Sequence, residues 1–372
     1  MTHHPAKPLR RTHMPASYDI SYQAYSQGRT QRLPDDPGPA QDMTGFEPAY
    51  RNIVDYIVRI THRIWEAREI EYIAKTYAPD CKVFDDYGLQ GDNGTIIANT
   101  RATCAAYPDI ILPADEVIWA GDAQVGYHTS HRLALAGTNT GASAYGPATG
   151  RSIHTLCIAN CVSKANEIFS EHVLYNTTAM LADLGVDAWA EAERSARDPM
   201  PGWPRDAATW AALRAEARPA QPLSLADPVQ GFDPDRFTRQ LHQALWQDGD
   251  MGVLDVAHAE AVPFHGTTHR RAAGRAAYAA MVAELRDCLG EIAFQVDEVY
   301  WMGNAAEGYL ISTRWSMDAV HARSGLFGTP SRAPLQIWGI TQSRVQEGRV
   351  QEEWMLFNEL DVMIQIAKAR MG

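Results

Sequence analysis

Apolar residues follow helical spacing in some stretches of the chain and strand-like alternation in others. Apolar side chains from Ile53 to Ile64 recur at three- and four-residue steps, which predicts one buried helical face. Turn-forming residues then dominate from 78 to 94. Beyond them, four segments alternate apolar and polar residues as antiparallel strands do, namely 116–119, 125–136, 153–162 and 168–175. Helices followed by a long run of strands predict an α+β fold.

The strongest pattern is an internal repeat. The sequence DEVIW at residues 115–119 recurs as DEVYW at 297–301, an offset of 297 − 115 = 182. The same offset pairs Asn176 with Asn358, and no gap is needed in between. Upstream, the tryptophans of the two helical stretches are 246 − 65 = 181 residues apart, so an insertion or deletion lies between. The chain therefore contains a duplicated domain.

The segments outside the repeats are rich in proline. The polar N-terminal segment cannot bury a core of its own, which predicts an extended or disordered arm. Its tyrosines would also suit packing on a partner; they are Tyr18, Tyr22 and Tyr25. The segment between the repeats is interpreted as a linker with a short helix around Trp210 and Leu213. The predicted organisation is an arm at 1–45, a first domain at 46–185, a linker at 186–231 and a second domain at 232–372.

Composition narrows the function classes. The chain has 372 residues and a formal net charge of −12, which argues against a general binder of nucleic acids or anionic membranes. It has no apolar run long enough to span a bilayer, and its N-terminal residues lack the apolar core of an export signal. Five cysteines without a CxxC pair favour a reduced chain. We therefore expect a cytoplasmic protein.

Short motifs in both repeats resemble a known family. The sequences GTNTG at 137–141 and YGPATGR at 145–151 are similar to the GTHTG and GxPxTGR elements of the SnoaL-like polyketide cyclases. The closing strand of that family, GKIxExWxxxD, is similar to residues 348–358, although the second repeat has PSR at 330–332 where the first has TGR. The resemblance covers about residues 46–185 and 232–370.

This resemblance implies two nuclear-transport-factor-two-like domains, each a cone of three helices packed on a curved, mixed, mostly antiparallel sheet. The superfamily includes cyclases, steroid isomerases, dehydratases and non-catalytic binders, so the fold alone does not give the function. In the cyclases, an aspartate at the end of the closing strand transfers protons in an apolar pocket. Here Asn176 and Asn358 replace it, and an amide cannot take a proton. Asn176 would be either an oxyanion donor or a hydrogen-bonded wall residue.

The family pattern also places the even-numbered residues of the closing strand in the cavity. His172 would then act as a general base or acid, or fill the volume of the family's tryptophan. The family pattern places Asp85 and Asp86 on the strand entered after the helices, where one of them could be a buried base or cap the following turn. Arg132 could hold a substrate carboxylate or enolate, or form a structural ion pair with Glu171.

Further candidates accompany these residues. For substrate binding in the first domain, the set also contains His128, Ser130, Tyr87 and Trp119. In the second domain, the corresponding pocket residues are His265, Arg314, Trp354 and Asn358, with Glu353 as the alternative ion-pair partner of the arginine. The sequence has no convincing metal-ligand spacing and no dinucleotide fingerprint, so we expect neither a metal nor a cofactor.

These residues favour a cofactor-independent enzyme that uses acid/base chemistry, of the cyclase, isomerase, dehydratase or lyase type. The substrate would be a small hydrophobic or carbonyl-containing molecule, bound in the first domain, which keeps more of the polar candidates. The alternatives are a non-catalytic ligand-binding module and an interaction protein, both consistent with loss of the acidic residue in both copies. We expect a homodimer or an intrachain pseudo-dimer, with neither nucleic acid nor membrane as a partner.

Overall fold

The computed structural model describes residues 19–26, 33–198, 206–215 and 231–372. Within these ranges the chain forms two compact units, one ending at Asp187 and the other beginning at Ala188. Each unit contains a mixed six-stranded sheet with helices, so the protein is α+β, as predicted. None of the helices in the described ranges is long and apolar enough to cross a membrane.

The first unit builds its sheet from sequentially distant strands. Its helices are α1 (Tyr22–Ser26), α2 (Ile53–Trp65), α3 (Ile73–Thr76), α4 (Asn93–Ala106) and α5 (Thr177–Leu184), with a 3₁₀ turn at Ile70–Tyr72. Its strands are β1 (Tyr77–Asp85), β2 (Gly88–Leu89), β3 (Ala114–Asp122), β4 (Gly126–Thr138), β5 (Ser152–Lys164) and β6 (Glu167–Leu174). The strand order is β2-β1-β6-β5-β4-β3; β1 and β6 are parallel, and the other neighbours are antiparallel.

The second unit repeats this order as β8-β7-β12-β11-β10-β9, again with its parallel pair at β7 and β12. Its strands are β7 (Pro263–Gly266), β8 (Arg271–Ala273), β9 (Leu289–Asn304), β10 (Gly308–His321), β11 (Pro334–Gln346) and β12 (Arg349–Phe357). Its helices are α6 (Ala188–Arg197), α7 (Ala207–Leu213), α8 (Pro234–His242), α9 (Val253–Ala257), α10 (Arg275–Asp287) and α11 (Glu359–Met371). A π-helical turn, Gln243–Asp248, follows α8, and a 3₁₀ turn, Thr267–His269, follows β7.

The offset found in the sequence recurs in the elements. The pairs α4 and α10, β4 and β10, β5 and β11, β6 and β12, and α5 and α11 each begin 182 residues apart. In the parallel pairs, Phe84 lies opposite His172, and His265 lies opposite Trp354. The repeat offset is therefore 265 − 84 = 181 from β1 to β7, but 354 − 172 = 182 from β6 to β12. The insertion or deletion therefore lies between β1 and α4. The structure confirms the internal duplication.

The described part of the arm packs on the first unit. Ile20 O accepts a 2.7 Å hydrogen bond from Trp119 Nε1, and both Tyr22 and Tyr25 are buried. This differs from the expected extended or disordered arm, because the tyrosine rings are buried and the backbone of the arm contacts β3 and α2. Tyr18, the third tyrosine of the arm, lies outside the described residues.

The segment after Tyr77 also differs from the predicted turns. It forms β1, which pairs with β6, and then α4, whose N-cap Asp92 accepts a 2.9 Å hydrogen bond from Thr95 N. The register of β1 on β6 shifts between Tyr77 and Lys82, which breaks the alternation that marks a strand. The partner strand lies far along the chain, so the local pattern does not reveal the pairing.

Candidate active site

The first unit contains a cavity of about 50 Å³ between α2 and the sheet. On β4, β5 and β6 its lining residues are odd-numbered, so they share one face of the sheet. The aliphatic part of the wall comes mainly from Ile57, Ile60, Ile64 and Leu133. The aromatic, polar and titratable lining residues are Thr61, Trp65, Tyr77, His131, Cys157, Cys161, Glu171 and Tyr175.

Glu171 on β6 supplies the only carboxyl group among the described residues that line this cavity. Its side chain is buried, and Oε2 accepts a 3.0 Å hydrogen bond from the Tyr77 hydroxyl. Burial raises the pKa of Glu171 to about 7, although hydrogen bonds from Tyr77 and Cys161 act in the opposite direction. A carboxyl group that titrates near pH 7 can both take and return a proton under neutral conditions.

His131 on β4 lines the same cavity. It is 2% exposed, and burial lowers its pKa to about 4, so its imidazole is neutral at pH 7. Its Nε2 has no hydrogen-bond partner among the described residues. A neutral imidazole in the tautomer with hydrogen on Nε2 would donate a hydrogen bond to a molecule in the cavity.

Two tyrosines and two cysteines complete the titratable lining. Burial raises the pKa of Tyr77, Tyr175, Cys157 and Cys161 well above the ordinary values, so all four keep their protons at neutral pH. The ionised Glu171 is therefore the only anion that the cavity lining holds within the described residues. The site combines one proton acceptor with neutral donors in an apolar setting.

The prediction that His172 lines the cavity is wrong. His172 lies beside Glu171 on β6 and therefore points to the opposite face of the sheet. Its ring stacks on Phe84 with centroids 4.9 Å apart. The prediction extended strand parity from Asn176, but Asn176 lies two residues beyond the end of β6, where the alternation no longer holds.

Neither asparagine lines the cavity of its unit. Asn176 precedes α5 in the left-handed conformation, with φ 58° and ψ 51°, which asparagine adopts more readily than most residues. Asn358 Oδ1 accepts a 3.0 Å hydrogen bond from Trp338 N, and its Nδ2 donates to Asp361 Oδ2 at 2.9 Å. Asn358 therefore holds β11 to α11 with both ends of its amide group.

Asp85 and Asp86 fasten backbone segments and do not line the cavity. Asp85 Oδ1 accepts hydrogen bonds from Tyr87 N at 2.8 Å and Gly88 N at 3.2 Å, which is the capping arrangement left open by the sequence. Asp86 Oδ2 accepts a 2.8 Å hydrogen bond from Tyr175 N. Burial raises the pKa of Asp85 to about 7 and that of Asp86 to about 6.

The arginines pair with a different acid from the one predicted. Arg132 Nε donates to Asp115 Oδ2 at 2.7 Å, and Arg314 Nη1 lies 3.3 Å from Asp297 Oδ2. These are the same pair in the two copies, since each residue is offset by 182. Pairing with Glu171 or with its counterpart in the second copy is wrong, because the arginines lie on the other face of their sheets.

The remaining substrate-binding candidates of the first unit also lie outside the cavity lining. His128 and Ser130 are even-numbered on β4 and share the face of Arg132. Trp119 packs against Tyr127 with ring centroids 6.1 Å apart, under the arm. Tyr87 lies in the turn after β1, where its hydroxyl donates to the Tyr145 hydroxyl at 3.2 Å.

The interior of the second unit is nearly filled at the equivalent place, where a cavity of about 20 Å³ remains beside Trp246, Met355 and Phe357. Trp315 occupies the repeat position of Leu133 and is fully buried, stacked on Trp246 with centroids 5.9 Å apart. Gly339 occupies the position of Cys157, and a Cβ there would lie 2.3 Å from the Trp315 ring. The indole of Trp315 therefore takes most of the volume that is open in the first unit.

Glu353, the counterpart of Glu171, is enclosed by protein partners. It accepts hydrogen bonds from the Tyr278 hydroxyl and from Ser343 Oγ, the latter at 3.0 Å. His258 Nε2 lies 3.8 Å from Oε2. Burial alone would raise the pKa of Glu353, but contact with His258 and the other partners outweighs burial and lowers it. This carboxylate is held ionised by partners of its own unit.

His265 and Trp354 lie on the face of their sheet opposite Glu353. Their rings stack with centroids 5.4 Å apart, and His265 Nε2 contacts Glu352 Oε1 at 3.0 Å. The strand register makes His265 the counterpart of Phe84 rather than of an aspartate. Within the described ranges, no group of three histidine, cysteine or acidic residues is arranged to hold a metal ion. Independence of metals and cofactors stays a prediction.

Comparison with known proteins identifies a sequence family for the second unit. Residues 237–366 match the family model described as SnoaL-like polyketide cyclase. No curated protein matches the chain significantly. Similar solved structures include a proposed polyketide cyclase from Acidithiobacillus ferrooxidans, with 17% identity over 40% of this chain and 99% of that chain and a TM-score of 0.32. Another is a proposed SnoaL-like polyketide cyclase from Jannaschia sp. CCS1, with 12% identity over 38% and 96% and a TM-score of 0.33.

The matched residues include most of α8, all of β7 and of the four long strands β9 to β12, and most of α11. The first unit has the same strand order and the same parallel pair. The second half of the chain belongs to the SnoaL-like polyketide cyclase family, and the first half repeats its sheet in tandem.

Proposed function

We propose that the first unit is a cofactor-independent enzyme that moves a proton at a carbon atom next to a carbonyl group of a small organic molecule. The observation that carries this proposal is Glu171, a buried carboxyl group in a mostly apolar cavity whose pKa is raised to about 7. Perturbation of this kind by burial is typical of acid/base groups in active sites. Membership of the second half in a cyclase family is compatible with this chemistry.

The proposed step needs only two side chains. The Glu171 carboxylate takes the proton, so a C–H bond breaks and an O–H bond forms. The C–H electron pair becomes the C=C bond of an enolate, and the carbonyl π pair moves to oxygen. His131 Nε2–H donates a hydrogen bond to that oxygen, which stabilises the developing charge. Return of the proton to the same or another carbon gives exchange, isomerisation or, with an electrophilic carbon nearby, ring closure.

Deuterium exchange into a simple ketone tests this proposal, because it detects the proton transfer itself and does not require the natural substrate. In D₂O, the protein should accelerate uptake of deuterium at the carbons beside the carbonyl of butan-2-one, followed by ¹H NMR. Glu171→Gln keeps the shape but removes the base, so we expect the protein-dependent rate to fall at least about 100-fold. The rate should rise with pH through about 7, as Glu171 ionises.

Glu353→Gln is the matched control, because it makes the same change at the repeat position in the filled unit. We expect this variant to retain the exchange rate. Equal rates in wild type and Glu171→Gln would exclude Glu171 as the base. No acceleration by the wild-type protein over buffer would contradict proton transfer at a carbonyl compound of this size.

A further inference from the structure

A second, larger pocket lies against the outer side of α2 in the first unit. Its volume is about 140 Å³, nearly three times that of the Glu171 cavity. We call it the outer pocket. Its lining residues come from the arm, from α2 and its C-cap, and from the segment that leads into β3. They are Tyr22, Tyr25, Leu33, Val58, His62, Glu66, Ile111, Leu112, Pro113 and Ala114.

The outer pocket adjoins the Glu171 cavity. Leu112 lines both spaces. On α2, Trp65 lines the cavity and the next residue, Glu66, lines the outer pocket. Leu112 N donates a 3.1 Å hydrogen bond to Glu66 Oε1, which holds the segment before β3 against the helix. A single side chain, Leu112, thus forms part of the wall between the two spaces.

Tyr25, which lines the outer pocket, carries a hydroxyl group without a partner in the described part of the chain. Tyr25 is 2% exposed, and its hydroxyl has no hydrogen-bond partner among the described residues. A buried hydroxyl without a partner is uncommon, because its desolvation is then uncompensated. Most of the residues that line the pocket are aliphatic or aromatic, among them Tyr22, Val58 and Pro113. His62 Nδ1 contacts Glu66 Oε2 at 3.1 Å, so these two polar side chains partner each other.

The sizes of the two spaces limit what each can hold. A cavity of roughly 150 Å³ lined by apolar residues binds a benzene ring. The Glu171 cavity is far smaller and suits a carbonyl head, whereas the outer pocket is close to the size needed for a ring. The placement of acid/base group and ring-sized space on either side of Leu112 fits an elongated molecule rather than a compact one.

We propose that the outer pocket binds the distal part of the substrate, an aromatic or aliphatic tail with a hydrogen-bond acceptor for Tyr25, while the carbonyl head reaches Glu171. The substrate is then an elongated carbonyl compound, and Leu112 controls passage of its chain between the two spaces. This inference rests on the proposed function of the Glu171 cavity.

A pair of ketones that share a head and differ in the tail tests it. Dissociation constants of butan-2-one and 4-phenylbutan-2-one are measured by ligand-observed NMR titration of the full chain. We expect the phenyl tail to tighten binding at least ten-fold. Val58→Trp fills the outer pocket without touching the cavity lining and should remove this gain while leaving butan-2-one unchanged. Ile111→Trp repeats the test from the segment before β3 if Val58→Trp fails to fold.

Val256→Trp, at an exposed site of the second unit, is the matched control and should leave both constants unchanged. Tyr25→Phe should weaken 4-(4-methoxyphenyl)butan-2-one more than the phenyl compound. The outer pocket would be overturned as a subsite if wild type bound the two ketones with equal affinity. It would also be overturned if Val58→Trp weakened the binding of both ketones by the same factor. Failure of butan-2-one to exchange its protons would instead contradict the proposed function, so the two failures are distinct.

Discussion

Burial in one cavity shifts the pKa values of two side chains in opposite directions. It raises the pKa of Glu171 to about 7 and lowers that of His131 to about 4. In each case the apolar surroundings disfavour the charged form, which is the anion of one residue and the cation of the other. Near pH 7 the cavity lining therefore contains a Glu171 carboxyl group at the midpoint of its titration and a neutral His131 imidazole. A neutral imidazole does not form an ion pair with the carboxylate.

Tyr77 sets where Glu171 titrates. Its hydroxyl donates a 3.0 Å hydrogen bond to the carboxylate and so holds the pKa below the value that burial alone would give. We expect Tyr77→Phe to move the midpoint of the pH–rate profile for ketone exchange above about 7 while the plateau at high pH remains. Tyr107→Phe, a buried tyrosine whose hydroxyl contacts Met180, is the control and should leave the profile in place. An unchanged midpoint of the pH–rate profile in Tyr77→Phe would show that Tyr77 does not set the pKa of the catalytic base.

The site was only partly predictable from sequence, for a physical reason. The repeat of Glu171 as Glu353 was visible, yet the face that each glutamate occupies was not. Strand β4 is buried on both faces over most of its length, so no polar face marks which side the helix covers. The sequence does not mark His131 as a site residue for the same reason, since only the position of α2 shows that it lines a cavity.

At the scale of elements, segments with strong periodicity were predictable from the residue pattern, whereas the parallel strand β1 was indicated only by the family resemblance. The apolar stripe of α2 and the four long strands of the first unit appear within a few residues of their predicted positions. Helix α4 buries Thr100 and Cys104 beside Ile96, so its covered face is too weakly apolar to mark a helix. The shifted register of β1 hides its alternation.

The filling of the second unit depends on a matched pair of residues on neighbouring strands. Trp315 on β10 lies opposite Gly339 on β11, and a Cβ at Gly339 would meet the indole at 2.3 Å and Leu356 O at 2.6 Å. We expect Gly339→Ala to destabilise the second unit by about 1–3 kcal/mol, as overpacking of a close-packed core does. The measurement is the loss of amide protection in β10 to β12, read by hydrogen-exchange mass spectrometry.

A double variant shows whether the indole causes this cost. Trp315→Leu installs the residue that the first unit carries, so Gly339→Ala should cost less in that background than in wild type. Gly94→Ala is the control, because a Cβ there has only ordinary contacts. Equal costs of Gly339→Ala in both backgrounds would show that Trp315 is not the obstacle.

At the scale of the whole molecule, the duplicated glutamates Glu171 and Glu353 have different surroundings in the two units. Glu171 faces an open cavity with few partners, whereas Glu353 is surrounded by Tyr278, Ser343 and His258. The same residue on the same strand of the same fold is thus left available in one unit and tied into the core in the other. The two carboxyl groups accordingly shift their pKa values in opposite directions.

This difference predicts opposite pH dependences of stability. The raised pKa of Glu171 means that its contribution is fully present below the ordinary value of 4.5 and is lost as pH rises through about 7. The loss is about 3 kcal/mol. Glu171→Gln does not ionise, so its free energy of unfolding relative to wild type should increase by about this amount between pH 4.5 and pH 8.

Glu353 has a lowered pKa, so its contribution is present above the ordinary value of 4.5 and is lost as pH falls through the folded value. Glu353→Gln should therefore cost most at neutral pH and progressively less in acid. Hydrogen-exchange mass spectrometry of each variant against wild type at matched pH reads β6 and β12 separately. Curves of the same sign for the two variants would show that both carboxyl groups occupy equivalent surroundings, and the assignment of acid/base chemistry to the first unit alone would lose its physical basis.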